Sequence, residues 1–281
     1  MPDPTVKLSA LSGQITKEVI RMRLKDKVAI VTGGSSGIGR AIALGYVREG
    51  AKIVIAALHE DPCRTVVKEI EELGGQAAYY TLDVSDLSKH QELLNIAVNA
   101  FGKVDILVND AGYARRETVF DVTPEGWDKM MDINLKSAFF LSQSFANQLI
   151  KQGTPGRIIN IGSVAGAMDM HPISIAYHAA KAAMINMTRV MAVDLAHFNI
   201  TVNCIGPGST ITPLSASKNP EYDDYMTRGI PEGRRGKPED MVPPAVMFAT
   251  DEASYITGQT IFVEGGAMSV YLGKDEPDFK A

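Results

Sequence analysis

Tyr177 and Lys181 stand four residues apart in Tyr177-His178-Ala179-Ala180-Lys181. On a helix, residues i and i+4 share one face. A tyrosine at its ordinary pKa of about 10 is a poor base near neutrality. A lysine ammonium a few ångströms away favours the phenolate and lowers that pKa. Such a phenol can pass a proton to or from an alcohol oxygen. Alone, the pair is also what an ordinary amphipathic helix face presents. Ser163 adds to it. It lies 14 residues before Tyr177 and just after a predicted strand, Arg157–Ile161. A hydroxyl at that edge of a sheet can hydrogen-bond a carbonyl oxygen as it gains charge.

A second piece of chemistry lies near the start of the chain. The apolar run Val28–Val31 enters Thr32-Gly33-Gly34-Ser35-Ser36-Gly37-Ile38-Gly39, and a helical pattern follows. A diphosphate must approach backbone closely, which side chains obstruct. The start of the following helix offers N–H groups and the positive end of a dipole. Strand, glycine turn and helix in that order predict a nucleotide site, where glycines alone would predict only a turn.

These groups must be positioned by alternating short β-branched runs and longer helical stretches. The predicted strands are 28–31, 52–57, 77–81, 106–108, 157–161, 201–205 and 260–263, mostly continuous apolar runs suited to burial on both faces. Helical spacing covers 37–49, 63–73, 87–101, 134–150 and 177–196. Ser85 or Asp86 can open the third helix, and Gly74-Gly75 closes the second. Pro238 with Glu239 and Asp240 reads as a helix start, whereas Pro243-Pro244 requires the helix to begin later or to kink. The pattern predicts an α/β fold: one Rossmann-type, doubly wound, parallel seven-stranded sheet in a single domain over 27–270. Residues 209–233 form its substrate loop. Residues 1–26 read as an N-terminal arm, with a short amphipathic helix over 16–24, and 271–281 as a charged tail. Both ends suit surface or subunit contacts.

The spacing Thr-Gly-x-x-x-Gly-x-Gly, with Tyr-x-x-x-Lys and an upstream serine, resembles the short-chain dehydrogenase/reductase family over roughly residues 26 to 268. By that resemblance Gly33, Gly37 and Gly39 shape the cofactor turn, and Ser35 and Ile38 lie close to the cofactor. Asp83 and Val84 sit beside the adenine. Asn109-Asp110-Ala111-Gly112 resembles the family's Asn-Asn-Ala-Gly, with an acid in place of the second Asn and the backbone role of Asn109, Ala111 and Gly112 kept. Pro207, Gly208 and Thr212 correspond to the loop beside the nicotinamide amide. The resemblance implies a tetrad: Tyr177 as general acid/base, Ser163 holding the substrate oxygen, Lys181 lowering the phenol pKa and binding the nicotinamide ribose, and Asn134 maintaining a water relay.

The implied activity is hydride transfer between NADP(H) or NAD(H) and a small ketone, sugar or polyol. A 3-oxoacyl-carrier-protein reductase is the alternative within that chemistry, and a non-catalytic nucleotide-sensing protein the alternative outside it. NAD preference in the family rests on an acid at the end of the second strand. Ala57 stands there, followed by Leu58 and His59. With no acid at 57 or 58, and with Ser36, Arg40 and His59 able to meet a phosphate, NADP(H) is favoured over NAD(H). Glu60 and Asp61 could alternatively reach a ribose. Tyr113, Met168, His171 and 214–230 are expected to line the substrate pocket. Arg115-Arg116 could attract an anionic substrate, but a solvated or subunit-contact role is the favoured reading of the pair. The family commonly pairs the helices 134–150 and 177–196 with copies in other subunits, so a homotetramer is expected.

Bulk properties exclude other classes. Net charge is −5 and no dense basic run occurs, which argues against a nucleic-acid surface. No uninterrupted apolar stretch is long enough to span a membrane. Cys63 and Cys204 lie far apart and in no metal-ligand spacing, so no metal site is expected and a reducing cytoplasm fits.

Overall fold

The seven predicted strands form one wholly parallel sheet. In this computed structural model, which describes residues 22–168, 175–216 and 220–269, the strands are β1 (Val28–Thr32), β2 (Lys52–Ala57), β3 (Ala77–Thr81), β4 (Ile106–Asn109), β5 (Gly156–Ile161), β6 (Ile200–Pro207) and β7 (Thr260–Val263). Their order is β3-β2-β1-β4-β5-β6-β7. The chain therefore reverses its direction of travel between β1 and β4, where α/β sheets open a crevice at their carboxyl ends.

Alternation along each strand builds two cores. Ala29, Val31, Ile53 and Ile55 point to the layer of α1 (Gly37–Arg48), α2 (Glu60–Glu72) and α8 (Val242–Ala249). Val28, Ile30, Val54 and Ala56 point to the layer of α3 (His90–Phe101), α5 (Ser137–Gln152) and α6 (Ile175–Leu195). Every residue of β1, β4, β5 and β6 is buried, which is why these strands read as unbroken apolar runs.

Strand bounds agree with expectation to within two residues. Asp86 accepts the Ser88 N–H and opens a short 3-10 turn ahead of α3. Gly74, at φ +77°, follows α2. Pro238 starts a 3-10 turn, and the α-helix proper begins at Val242. Pro243 and Pro244 thus fall in its first turn, where a missing N–H costs nothing.

Two helices escaped the sequence pattern: α4 (Pro124–Met131) and α7 (Pro220–Thr227). Both are short and polar, so periodicity is a weak signal for them. Thr123 caps α4 by accepting the Gly126 N–H at 3.1 Å, with Pro124 at its start. Residues 22–27 form turns that dock on the end of α1, with Leu24 fully buried and its N–H donating to the Glu49 carbonyl at 2.8 Å. Most of the predicted 16–24 helix, Met170, His171 and the 271–281 tail lie outside the described residues.

Candidate active site

β1, β4, β5 and β6 end side by side, and the residues that follow them meet around a cavity of about 440 Å³. Ser163 comes from just past β5, Tyr177 and Lys181 from the first turns of α6, Pro207 from the end of β6, and Gly208 and Thr212 from the loop beyond it. The structure therefore brings three members of the expected tetrad to one wall. Ser163 is hydrogen-bonded to the Tyr177 phenol. Its Oγ also accepts the Ala165 N–H at 3.1 Å, which fixes the hydroxyl on its turn. Gly166 explains how α6 can come so close, because a Cβ there would lie 2.7 Å from the Lys181 carbonyl.

Lys181 is buried, donates from Nζ to the Ile161 carbonyl at 2.8 Å, and holds that nitrogen 5.6 Å from the centroid of the Tyr177 ring. The ammonium thus lies against the ring face. Burial pushes Lys181 down to about 8, and the Asp110 carboxylate pulls it back up. The phenol departs from expectation. Burial pushes Tyr177 up to about 12; the Ser163 hydrogen bond pulls it down and Asp110 pushes it up. Desolvation of the phenolate outweighs the Ser163 hydrogen bond, which favours the protonated phenol.

Asn134 sits in a π-helical turn, Asp132–Lys136, between α4 and α5. Such turns are frequent at functional sites. Its amide is fully buried, and its direct partners are in the loop after β4 and in α4. Oδ1 accepts the Tyr113 N–H at 3.1 Å, and Nδ2 donates to the Tyr113 carbonyl at 2.8 Å and the Met130 carbonyl at 3.0 Å. Asn134 clamps the loop that follows β4.

The glycine turn has the close approach its composition requires. Gly33 has φ +67°, and a Cβ there would lie 3.0 Å from the Ala111 nitrogen. At Gly39 a Cβ would lie 2.6 Å from both the Gly33 carbonyl and Asp110 Oδ2. Ser36 precedes α1 without capping it by its side chain. A smaller cavity of about 140 Å³ opens there, lined by Gly33, Ser36, Gly37, Ile38, Ala111 and Gly112 among others. It adjoins the larger cavity through Ile38, Asp110, Gly112, Thr212 and Leu214, which line both.

Other expected cofactor residues are less central. Asn109 is buried in the sheet, donating to Ser142 Oγ at 2.9 Å and Asn160 Oδ1 at 2.8 Å. Asp83 is exposed and binds the Ser85 N–H and hydroxyl, and Val84 beside it is buried. Ser35 is half-buried, Leu58 is exposed, and His59 precedes α2 without capping it. Arg40 is paired with Glu69 at 2.6 Å, and Glu60 with Arg64 and the Tyr79 hydroxyl. Neither Arg40 nor Glu60 is left uncommitted for a ribose or its phosphate. Leu214, Ser215, Ala216, Tyr222 and Met226 of the substrate loop line the larger cavity, whereas Met168 lines a different, shallower groove with Val119 and His178.

Three contributors went unrecognised in sequence. Thr32 Oγ1 accepts the N–H groups of Asp110 at 3.0 Å and Ala111 at 3.1 Å, joining the glycine turn to the loop after β4. Arg235 is buried in the larger cavity's wall. Asp110 lines both cavities; burial pushes its carboxyl up to about 7, with Lys181 and the Gly39 N–H pulling it down. The departure from Asn at this position was its only signal. It changes the electrostatics of the site as well as the letter of the motif. Among the described residues no cluster of His, Cys, Asp and Glu could hold a metal.

A family model described as enoyl-(acyl carrier protein) reductase matches residues 33–268. The chain is 37% identical over 245 residues to the 3-oxoacyl-[acyl-carrier-protein] reductase FabG of Thermotoga maritima, covering 87% of this chain and 99% of that one. It is 39% identical over 246 residues to the 2-dehydro-3-deoxy-D-gluconate 5-dehydrogenase of Dickeya dadantii, covering 86% and 96%. Among solved structures, a short-chain type dehydrogenase/reductase from Mycobacterium marinum superposes with a TM-score of 0.85 at 32% identity, covering 89% of this chain and 98% of that one. A Beutenbergia cavernae protein assigned provisionally as an NAD(P)-dependent gluconate 5-dehydrogenase, with NADP bound at low occupancy, gives 0.83 at 36%, covering 89% and 100%.

Proposed function

The chain belongs to the short-chain dehydrogenase/reductase family, and from that premise we propose that Tyr177, Ser163 and Lys181 are the groups with which this NAD(P)-dependent oxidoreductase interconverts a carbonyl and a secondary alcohol. The observation that carries the assignment is the meeting of these three side chains at one cavity beside the glycine turn.

That turn fits a dinucleotide. Gly33 and Gly39 leave no room for a Cβ, and the first turn of α1 opens into the smaller cavity, so its N–H groups and dipole suit a diphosphate. Ile38, Gly112, Pro207 and Thr212 would hold the part nearer Tyr177. When bound, a nicotinamide supplies or accepts the hydride.

The protein's share is proton handling and orientation. In reduction the protonated Tyr177 phenol is the acid that gives its proton to the carbonyl oxygen. The Ser163 hydroxyl, already bound to that phenol, donates to the same oxygen as it gains charge. In oxidation the phenol must first ionise. The Lys181 ammonium, held by the Ile161 carbonyl against the ring, stabilises the resulting phenolate. Asn134 is a positioning residue in this reading: its side-chain contacts hold the loop carrying Ala111 and Gly112.

NADP(H) is the favoured cofactor. Ala57 and Leu58 leave the end of β2 without an acid to repel a 2′-phosphate, and the Beutenbergia neighbour was solved with NADP. A homotetramer is the favoured assembly. Ala180, Met184 and Met191 of α6 are buried in the core, while Val190, Val193 and, on α5, Ile150 are left exposed for subunit contacts. Mass in solution tests this, and a monomer counts against it. The acyl-carrier reductase reading draws on the FabG relative and is separated by offering an acetoacetyl-pantetheine thioester.

The deciding experiment is a panel of ketones, sugar acids, polyols and that thioester, followed by nicotinamide absorbance with each cofactor. Turnover of a carbonyl or alcohol supports the proposal. Cofactor binding without turnover on any member would overturn it.

A further inference from the structure

The cavity in front of Ser163 and Tyr177 holds three guanidinium groups, those of Arg115, Arg116 and Arg235. Two are already committed. Arg235 is buried, ion-paired with Asp223, and donates to the Ser209 hydroxyl at 3.0 Å, the Ser215 hydroxyl at 3.0 Å and the Thr210 carbonyl at 3.2 Å. These bonds tie α7 to the loop after β6. Arg115 is largely exposed and lies 3.4 Å from the buried carboxylate of Glu117.

Arg116 is exposed as well, but it differs from both in its partners. Its guanidinium carbon lies 4.6 Å from the centroid of the Tyr222 ring, and among the described residues no carboxylate is within ion-pair distance of it. The same ring also carries Arg235, at 5.7 Å. Arg235 therefore fixes α7, α7 presents Tyr222, and Tyr222 holds Arg116 by its π face. From the other side, Asn134 clamps the backbone of Tyr113, three positions earlier in the same loop. A guanidinium stacked on a fixed ring, on a loop whose backbone is clamped, is placed at the mouth of the reactive cavity to meet an anion.

The geometry points to a carboxylate-bearing substrate: Arg116 receives the carboxylate of a small hydroxy or oxo acid whose reacting carbon lies at Ser163 and Tyr177. This rests on the hydride-transfer reading of the same cavity and names its substrate class. A guanidinium offers the paired donors that a carboxylate matches in plane. Charge balance favours a monoanion over a phosphate ester. Among the described residues that line the cavity, Arg235 is offset by Asp223, Arg115 by Glu117 and Lys181 by Asp110, which leaves the charge of Arg116.

The test uses Tyr177→Phe protein saturated with oxidised NADP or NAD, so that nothing turns over, and measures binding of D-gluconate, 5-oxo-D-gluconate and neutral D-glucitol by calorimetry. At least one acid should bind about tenfold or more tightly than glucitol. Adding Arg116→Gln should weaken that acid by about 10- to 100-fold, the range of a hydrogen bond to a charged group, and leave glucitol nearly unchanged. Arg116→Lys should recover part of the loss. Glucitol binding as well as the acids, no binding by either acid, or an Arg116→Gln variant that still binds the acid normally would each overturn the inference. Failure of the hydride-transfer reading shows separately, as wild-type protein that turns over neither acids nor neutral polyols.

Discussion

Asp110 and Lys181 line the same cavity, and each counteracts what burial does to the other. Burial raises the carboxyl to about 7 and lowers the ammonium to about 8, and their mutual attraction limits both shifts. The two charges stand between the glycine turn on one side and the Tyr177 phenol on the other. Proton occupancy at Asp110 is therefore felt at both.

The first prediction concerns stability. An ordinary aspartate titrates near 3.9, and Asp110 is raised to about 7 in the fold. Between these values the folded state keeps a proton that the unfolded chain has lost, so this group's contribution to stability falls as pH rises through that window. Above about 7 the penalty is fully present. Asp110→Asn should gain melting temperature relative to wild type at pH 8 and show much less gain at pH 4. Thermal denaturation at both pH values measures this; parallel curves would contradict it. Because Asp110 also pushes the Tyr177 phenol up, the same variant should move the pH profile of alcohol oxidation toward lower pH.

A second prediction separates positioning from chemistry at Asn134. Replacing it by Ala strips the Tyr113 N–H and carbonyl of their buried partners. The cost should be about 1–3 kcal/mol of stability, read as a lower denaturation midpoint. Turnover number should survive better than substrate affinity, since the loop it clamps carries Arg116. A collapse of kcat at unchanged KM would instead support the proton-relay role expected from the family resemblance.

The third concerns the cofactor. Ala57 ends β2 where the family's NAD-selective members carry an acid. Ala57→Asp should place a negative charge against a 2′-phosphate and move the NADPH/NADH ratio of kcat/KM toward NADH by about tenfold or more, as like charges a few ångströms apart require. A wild-type enzyme that already prefers NADH would reverse the NADP(H) assignment.

The sheet was nearly complete in the sequence, because strands buried on both faces leave apolar runs such as Val28–Val31. The glycine turn was legible for the same kind of reason: only glycine fits where a Cβ would meet the Gly33 carbonyl at 2.6 Å. Helices α4 and α7 were not, since polar residues dominate them and their start signals are single residues. Pairwise electrostatics were the least legible. The cation beside Tyr177 was visible as Lys181, but the desolvation that raises the phenol depends on packing from several elements together. Likewise Arg115 and Arg116 are adjacent in sequence, and only the placement of Glu117 and Tyr222 distinguishes the committed guanidinium from the uncommitted one.

Loss of the Tyr177 hydroxyl is the most direct test. Tyr177→Phe should fold with an unchanged melting profile, bind nicotinamide cofactor with the wild-type dissociation constant, and lose about 10²- to 10⁴-fold in turnover of the best carbonyl substrate, the range that general acid–base catalysis supplies. A variant that binds cofactor normally and keeps more than about a tenth of wild-type turnover would contradict the assignment of Tyr177 as the proton-transferring group.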